Sequence, residues 1–208
     1  MTILDQAVLL LTGLTALYLI VYFYRNKDQG THNVYYLLAF LVLLAAGLLL
    51  IALGYGILAN PLVVIVSTLI PALLAIGLIT QFNPRQSRSY LILAIVGVLL
   101  IAATRFTGPA GLATAVLALV HSIFGLTIFF IPILAYRQGV VPSSFGWVTV
   151  GGTLISVGGI ALAFLKAGVP ILSKEIIFAI LAPILLLMTL SYAWGFRKTF
   201  PDQRISSH

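Results

Sequence analysis

The chain has no cysteine and almost no acid, with four Asp and Glu residues in 208 against eleven Lys and Arg. Without thiols there are no disulfides, no thiolate nucleophiles and no iron-sulfur or zinc-thiolate ligation. Charge of either sign is scarce, at 7% of residues. A soluble domain of this length needs a charged exterior, and so few ionisable side chains cannot cover one, so the outer surface is expected to face lipid.

What the chain has instead is apolar length: 62% of residues are hydrophobic and the mean hydropathy is +1.18. The formal charge of +7 is spread as single or paired bases between apolar runs, a pattern of topology signals and headgroup contacts and not of nucleic-acid binding. The first run, Ile3 to Tyr24, has no basic leader and carries Asp5 near its start and Arg25 with Lys27 after its end, so it reads as a retained span and not a cleaved signal.

About 20 apolar residues at a rise of 1.5 Å cross roughly 30 Å of hydrocarbon. Seven such runs are expected: Ile3 to Tyr24, Val34 to Leu58, Leu62 to Thr80, Tyr90 to Thr104, Ala113 to Tyr136, Phe145 to Leu165 and Ile176 to Trp194. Short connections bearing Gly, Pro and Asn separate them, so consecutive helices should pack antiparallel, and none is long enough for a separate domain. The fold class is thus an all-α membrane protein, a single bundle of seven transmembrane helices over residues 1–208.

Orientation follows from the bases. With the amino terminus outside, Arg25, Lys27, Arg85, Arg88, Arg137, Arg197, Lys198 and Arg204 fall on the cytoplasmic face with the carboxyl terminus, while Arg105, Lys166 and Lys174 lie outside. Tyr22, Tyr24, Tyr35, Tyr36, Phe82, Tyr136, Trp147 and Trp194 cluster near the same boundary, as an aromatic belt would. The expected location is the cell (plasma) membrane, multi-pass.

Sliding the chain along itself by 112 positions pairs Gly13-Leu14-Thr15 with Gly125-Leu126-Thr127 and Tyr24-Arg25 with Tyr136-Arg137. The same offset pairs Tyr35 with Trp147, Gly47 with Gly159, Gly56 with Gly168, Pro71 with Pro183, Phe82 with Trp194 and Arg85 with Arg197. An ungapped register across three helices points to an internal repeat. Repeat 1 covers about residues 1–88, a linker helix about 89–106 and repeat 2 about 113–200. Both repeats begin with an inward-running helix, so they are parallel, related by an axis along the membrane normal.

This three-plus-one-plus-three layout is similar to the plan of the SWEET sugar transporters. The resemblance is architectural only: the Pro-Gln dipeptide expected of the SWEET and PQ-loop families occurs nowhere in the chain, so no transporter residues carry over. Rhodopsins share the helix count and outside amino terminus, but the seventh run holds no lysine for retinal.

Apart from Asp5 at the start of the first, the seven runs contain no Asp, Glu, Lys or Arg. Proton-coupled carriers commonly bury an ionisable group, and hydrolytic enzymes need a carboxylate, metal cluster or activated nucleophile, so no catalysis is expected. His121 stands alone as a histidine at depth, about two turns into the fifth run; it could contact a haem, metal or quinone, relay a proton, or simply bond another helix. No metal site is expected, and no cofactor is specified. Pro71, Pro132 and Pro183 lie within spans as candidate hinges or as tolerated kinks. Gly151, Gly152, Ser156, Gly158 and Gly159 make the sixth run small and suited to close packing, while Tyr55, Ser67, Thr68, Ser122, Thr127, Ser191 and Tyr192 offer hydroxyls for packing or for a solute. Arg25, Arg85, Arg137 and Arg197 form two offset-matched pairs that could hold lipid phosphates or a partner, or anchor the helices.

The function expected first is a transporter or conduit for an uncharged or weakly polar solute, with a path between the two triplets. The alternative is a non-catalytic accessory or assembly subunit of a larger membrane complex, respiratory or pigment- or haem-containing, touching a cofactor through His121. Partners are then the lipid bilayer and either a homo-oligomer or a larger membrane complex, with no nucleic acid.

Overall fold

The computed structural model of the chain describes residues 1–166 and 172–199, apart from the side chains of Ala163, Phe164 and Lys166. Gly168 and Arg204, named above, lie outside the described residues. The described residues form seven long helices: α1 (Ile3–Arg25), α2 (Thr31–Leu53), α3 (Pro61–Phe82), α4 (Ser87–Thr107), α5 (Ala110–Arg137), α6 (Gly146–Lys166) and α7 (Lys174–Thr199). Each contains a stretch long and apolar enough to cross a membrane. The chain is therefore read as an integral, multi-pass membrane protein.

Helix ends follow local chemistry. Thr2 accepts from the Asp5 backbone N–H at 3.1 Å while the Asp5 carboxylate accepts from the Thr2 N–H at 2.7 Å, a reciprocal cap that opens α1. Asn60 accepts from the Leu62 N–H ahead of Pro61, which starts α3. The expected second span ran to Leu58, but α2 stops at Leu53. Gly54 adopts φ +70°, and Tyr55–Ala59 winds into a tighter 3-10 turn. Apolar continuity alone did not mark that stop. In contrast, α4 is six residues longer than its apolar core of Tyr90 to Thr104, because polar first and last turns extend it at the membrane rims.

Inside the helices, hydroxyls bond to their own backbone. Thr12, Thr15, Thr68, Thr104, Thr114, Thr127, Ser156, Thr189 and Ser191 each donate to the carbonyl four residues earlier, at 2.6–3.0 Å. A medium without hydrogen-bonding partners imposes this.

The packing order is a ring. Helix α1 packs on α2, α2 on α3, α3 on α5, α5 on α6, α6 on α7 and α7 back on α1. Helix α4 rests outside, against α3 and α5, and is the least buried of the seven, whereas α3 is the most buried. At one end of the bundle, Phe23 of α1 meets Tyr36 and Phe40 of α2 and Phe196 of α7, with centroids 5.0–5.9 Å apart. Phe145, just before α6, touches both Phe82 of α3 and Phe196. At the other end Leu9 of α1, Leu50 of α2 and Leu181 of α7 gather with Tyr55. Consecutive helices therefore alternate in direction.

Two tyrosine rings lie on glycines. Tyr36 of α2 covers Gly77 of α3, and Tyr192 of α7 covers Gly151 of α6, where a Cβ would stand 2.7 Å from the ring. The Tyr36 hydroxyl donates to Gln81 at 2.8 Å. A polar knot closes the α1–α2 turn, where Asn33 donates to the Asn26 carbonyl at 2.7 Å and Asn26 to that of Tyr22 at 2.8 Å.

Substituting Gly77→Val should push the Tyr36 ring off α3 and cost about 1–3 kcal/mol, the usual range for overpacking. Gly47→Val, where a Cβ meets nothing within 4 Å, should cost far less. Unfolding of both variants in a lipid-detergent mixture measures the difference, and equal losses would contradict this packing.

Candidate functional site

His121 is the twelfth residue of α5. At 1.5 Å per residue its backbone lies roughly 17 Å from the start of that helix and roughly 24 Å from its end. The ring turns toward α6, where a Cβ at Gly159 would lie 3.4 Å from Cδ2 and 4.0 Å from Nε2. The Nδ1 atom is buried and makes no hydrogen bond of good geometry, the Leu117 carbonyl one turn earlier being the backbone group nearest to bonding the imidazole.

Around this ring α5 and α6 part to leave a cavity of about 310 Å³. Leu117, Leu126, Phe129, Val157 and Ile160 supply apolar walls, and Ser122, Thr153 and Ser156 add hydroxyls. Ser156 is satisfied by the Gly152 carbonyl at 2.8 Å and Thr153 by that of Thr149 at 2.9 Å. Ala118, Ser122, Leu126, Thr153, Val157 and Ile160 are exposed on the bundle's outer surface, so the cavity opens sideways. It is a lateral groove. Close approach of the two helices beyond it needs glycine, since a Cβ at Gly125 would stand 2.6 Å from Ser156 Oγ and one at Gly152 2.5 Å from Ile128.

A smaller groove of about 180 Å³ lies between α1 and α2. Its lining is entirely Leu, Ile and Gly. Adding 112 to its residue numbers carries Leu9, Leu10, Gly13, Leu14, Leu17, Leu44, Gly47 and Leu48 onto His121, Ser122, Gly125, Leu126, Phe129, Ser156, Gly159 and Ile160, all lining the larger groove. Three leucines of one groove thus stand where the other has His, Ser and Ser.

The remaining candidate residues do not join this site. Pro71 and Pro132 are buried, Pro183 is exposed on the outer surface, and neither groove touches any of them. Their helices run through unbroken. Arg25, Arg85, Arg137 and Arg197 are exposed at the aromatic end of the bundle. There Lys27 sits over the Tyr24 ring at 4.6 Å and Lys198 over Trp194 at 5.1 Å. Tyr24, Tyr136, Trp147 and Trp194 are exposed as belt residues should be, but Tyr22 and Tyr36 belong to the core. Of the candidate hydroxyls, Ser67, Thr68, Thr127 and Ser191 bond to carbonyls of their own helix, Tyr55 has the Asp5 carboxylate as its neighbour, and Tyr192 keeps a buried hydroxyl without a partner. Among the described residues no three His, Asp or Glu side chains gather as a metal site would require.

A buried polar atom without a partner costs stability, and an interhelical bond from His121 would have repaid it. His121→Leu should therefore leave the fold as stable or raise it by about 1 kcal/mol, measured by reversible unfolding in lipid. A loss of more than about 1 kcal/mol would make His121 a structural residue instead. Compared with protein-family models, curated proteins and solved structures, the chain matches none.

Proposed function

We propose that the chain is a non-catalytic, duplicated membrane protein that holds a lipid-soluble molecule in the lateral groove between α5 and α6, consistent with an accessory role toward a cofactor. The observation that carries this reading is the imidazole of His121, which makes no hydrogen bond to another helix, inside the larger of the two grooves. A polar side chain kept among helices at a cost to stability marks a site selected for something other than folding.

Duplication is supported by the matched grooves and by the packing ring. Exchanging α1 with α5, α2 with α6 and α3 with α7 turns the α1–α7 contact into the α5–α3 contact and leaves the ring unchanged. In this reading α4 is the linker, and its outlying position against α3 and α5 suits that role. The amino terminus lies outside, because Arg25, Lys27, Arg85, Arg88, Arg137, Arg197 and Lys198 all belong to the opposite end.

The layout by itself also favours a conduit along the axis between the triplets. There, however, Phe23, Tyr36, Phe40, Tyr192 and Phe196 pack ring against ring, and a solute path would have to part them. Pro71 and Pro183, the matched hinge candidates, face a core and an outer surface respectively. The groove reading needs no such rearrangement.

Two measurements test this. Organic extraction of the purified protein should release a membrane-soluble compound that is absent from a variant with the groove filled by Ala118→Phe and Val157→Phe; identical extracts would refute groove occupancy. For orientation, a membrane-impermeant maleimide applied to intact cells should label Gly111→Cys and spare Asp28→Cys until the membrane is opened. The reverse pattern would invert the topology.

A further inference from the structure

We infer that the groove's occupant is a neutral molecule dissolved in the bilayer, with a compact head bearing a carbonyl or hydroxyl oxygen that pairs with His121 and Ser122, and that the α1–α2 groove does not take it. The inference rests on the groove-binding reading above and adds the chemistry of the ligand.

The two grooves provide an internal comparison. Positions 112 apart line both, and the smaller one shows what such a groove holds when only packing or lipid chains are involved: Leu9, Leu10 and Leu44. The larger one replaces these with His121, Ser122 and Ser156. Ser156 is spent on the Gly152 carbonyl, which leaves Ser122 and the Cδ2–Nε2 edge of His121 beside Gly159 to meet a ligand, while the buried Nδ1 edge has the Leu117 carbonyl as its backbone neighbour. Two hydrogen-bonding groups presented to lipid invite a ligand that carries polarity of its own into the hydrocarbon.

The ligand's charge follows from what is absent around it. Among the described residues lining the groove none is Asp, Glu, Lys or Arg, so an ionised head would lie desolvated without a counter-ion. Its depth excludes ordinary headgroups. His121 lies more than three turns from either end of α5, below the level that a phosphate of the surrounding bilayer reaches. Its size is bounded too, since about 310 Å³ accommodates a single substituted ring or a few branches of an isoprenoid chain but not a macrocycle. Phe129 offers a face for a flat ring, while the exposed walls Leu126, Val157 and Ile160 let an apolar tail continue into the bilayer.

The test uses the full chain in phosphatidylcholine nanodiscs with its histidines labelled with 15N, the His121 signals being those lost in His121→Leu. A benzoquinone with a short alkyl tail is titrated against the matching alkylbenzene, which lacks both carbonyl oxygens. The inference predicts saturable shifts of the His121 signals with the quinone. It also predicts binding roughly three- to ten-fold weaker for the alkylbenzene, read on the same signals, about the loss of one neutral hydrogen bond. Equal affinity for the two probes, lost in both when Ala118→Phe fills the groove, would overturn the head-group chemistry while leaving groove binding intact. If neither probe binds and the His121 signals instead change with the protein-to-lipid ratio, the groove is a contact between protein helices, and both readings fall.

Discussion

A bilayer interior offers a polar atom no partner, and most of this fold follows from that constraint. Backbone groups close on themselves as helices, and eleven hydroxyls among the described residues turn back onto the carbonyl four residues earlier. Asn26 and Asn33 are tolerated because they satisfy each other and the α1–α2 turn. Against so thorough an internal pairing, the exceptions gain meaning. Among the described residues Arg105, His121 and Tyr192 keep buried atoms without a hydrogen bond of good geometry, and His121 borders a cavity of about 310 Å³.

Since lipid tails are as apolar as leucine, burial alone does not hold such helices together, and contact quality must. The tight contacts pair rings with glycines, Tyr36 on Gly77 and Tyr192 on Gly151, joined through Phe40 and Phe196. That aromatic seam joins α1 and α2 to α7. The grooves, by contrast, sit at α1–α2 and α5–α6, and none of the seam's aromatic residues lines either of them. In the proposed account, duplication supplied two equivalent surface grooves and one of them was converted from leucine to polar residues.

Much of this was legible in the sequence. Seven apolar runs became seven helices, and most boundaries moved by only a few residues. The stop at Leu53 was missed because Gly54 and Tyr55 sit inside an unbroken apolar run, where only the backbone geometry reveals the turn. Burial was harder. Adjacent tyrosines cannot be told apart by composition, yet Tyr35 is only partly buried while Tyr36 is core. His121 was visible as an isolated histidine at depth, but the groove was not, because it depends on which faces of α5 and α6 meet. The 112-residue offset also pairs Leu9 with His121, and in three dimensions that mismatch distinguishes the two grooves.

The claim on which everything else depends is that the groove beside His121 opens to lipid. Since the chain has no cysteine, a nitroxide can be attached at Ser122→Cys alone, with Leu10→Cys as its counterpart in the other groove. In bilayers both labels should collide readily with oxygen and rarely with a water-soluble nickel chelate. Strong nickel collisions at Ser122→Cys, matching those of an exposed loop site such as Gln86→Cys, would place the groove in water and contradict the account.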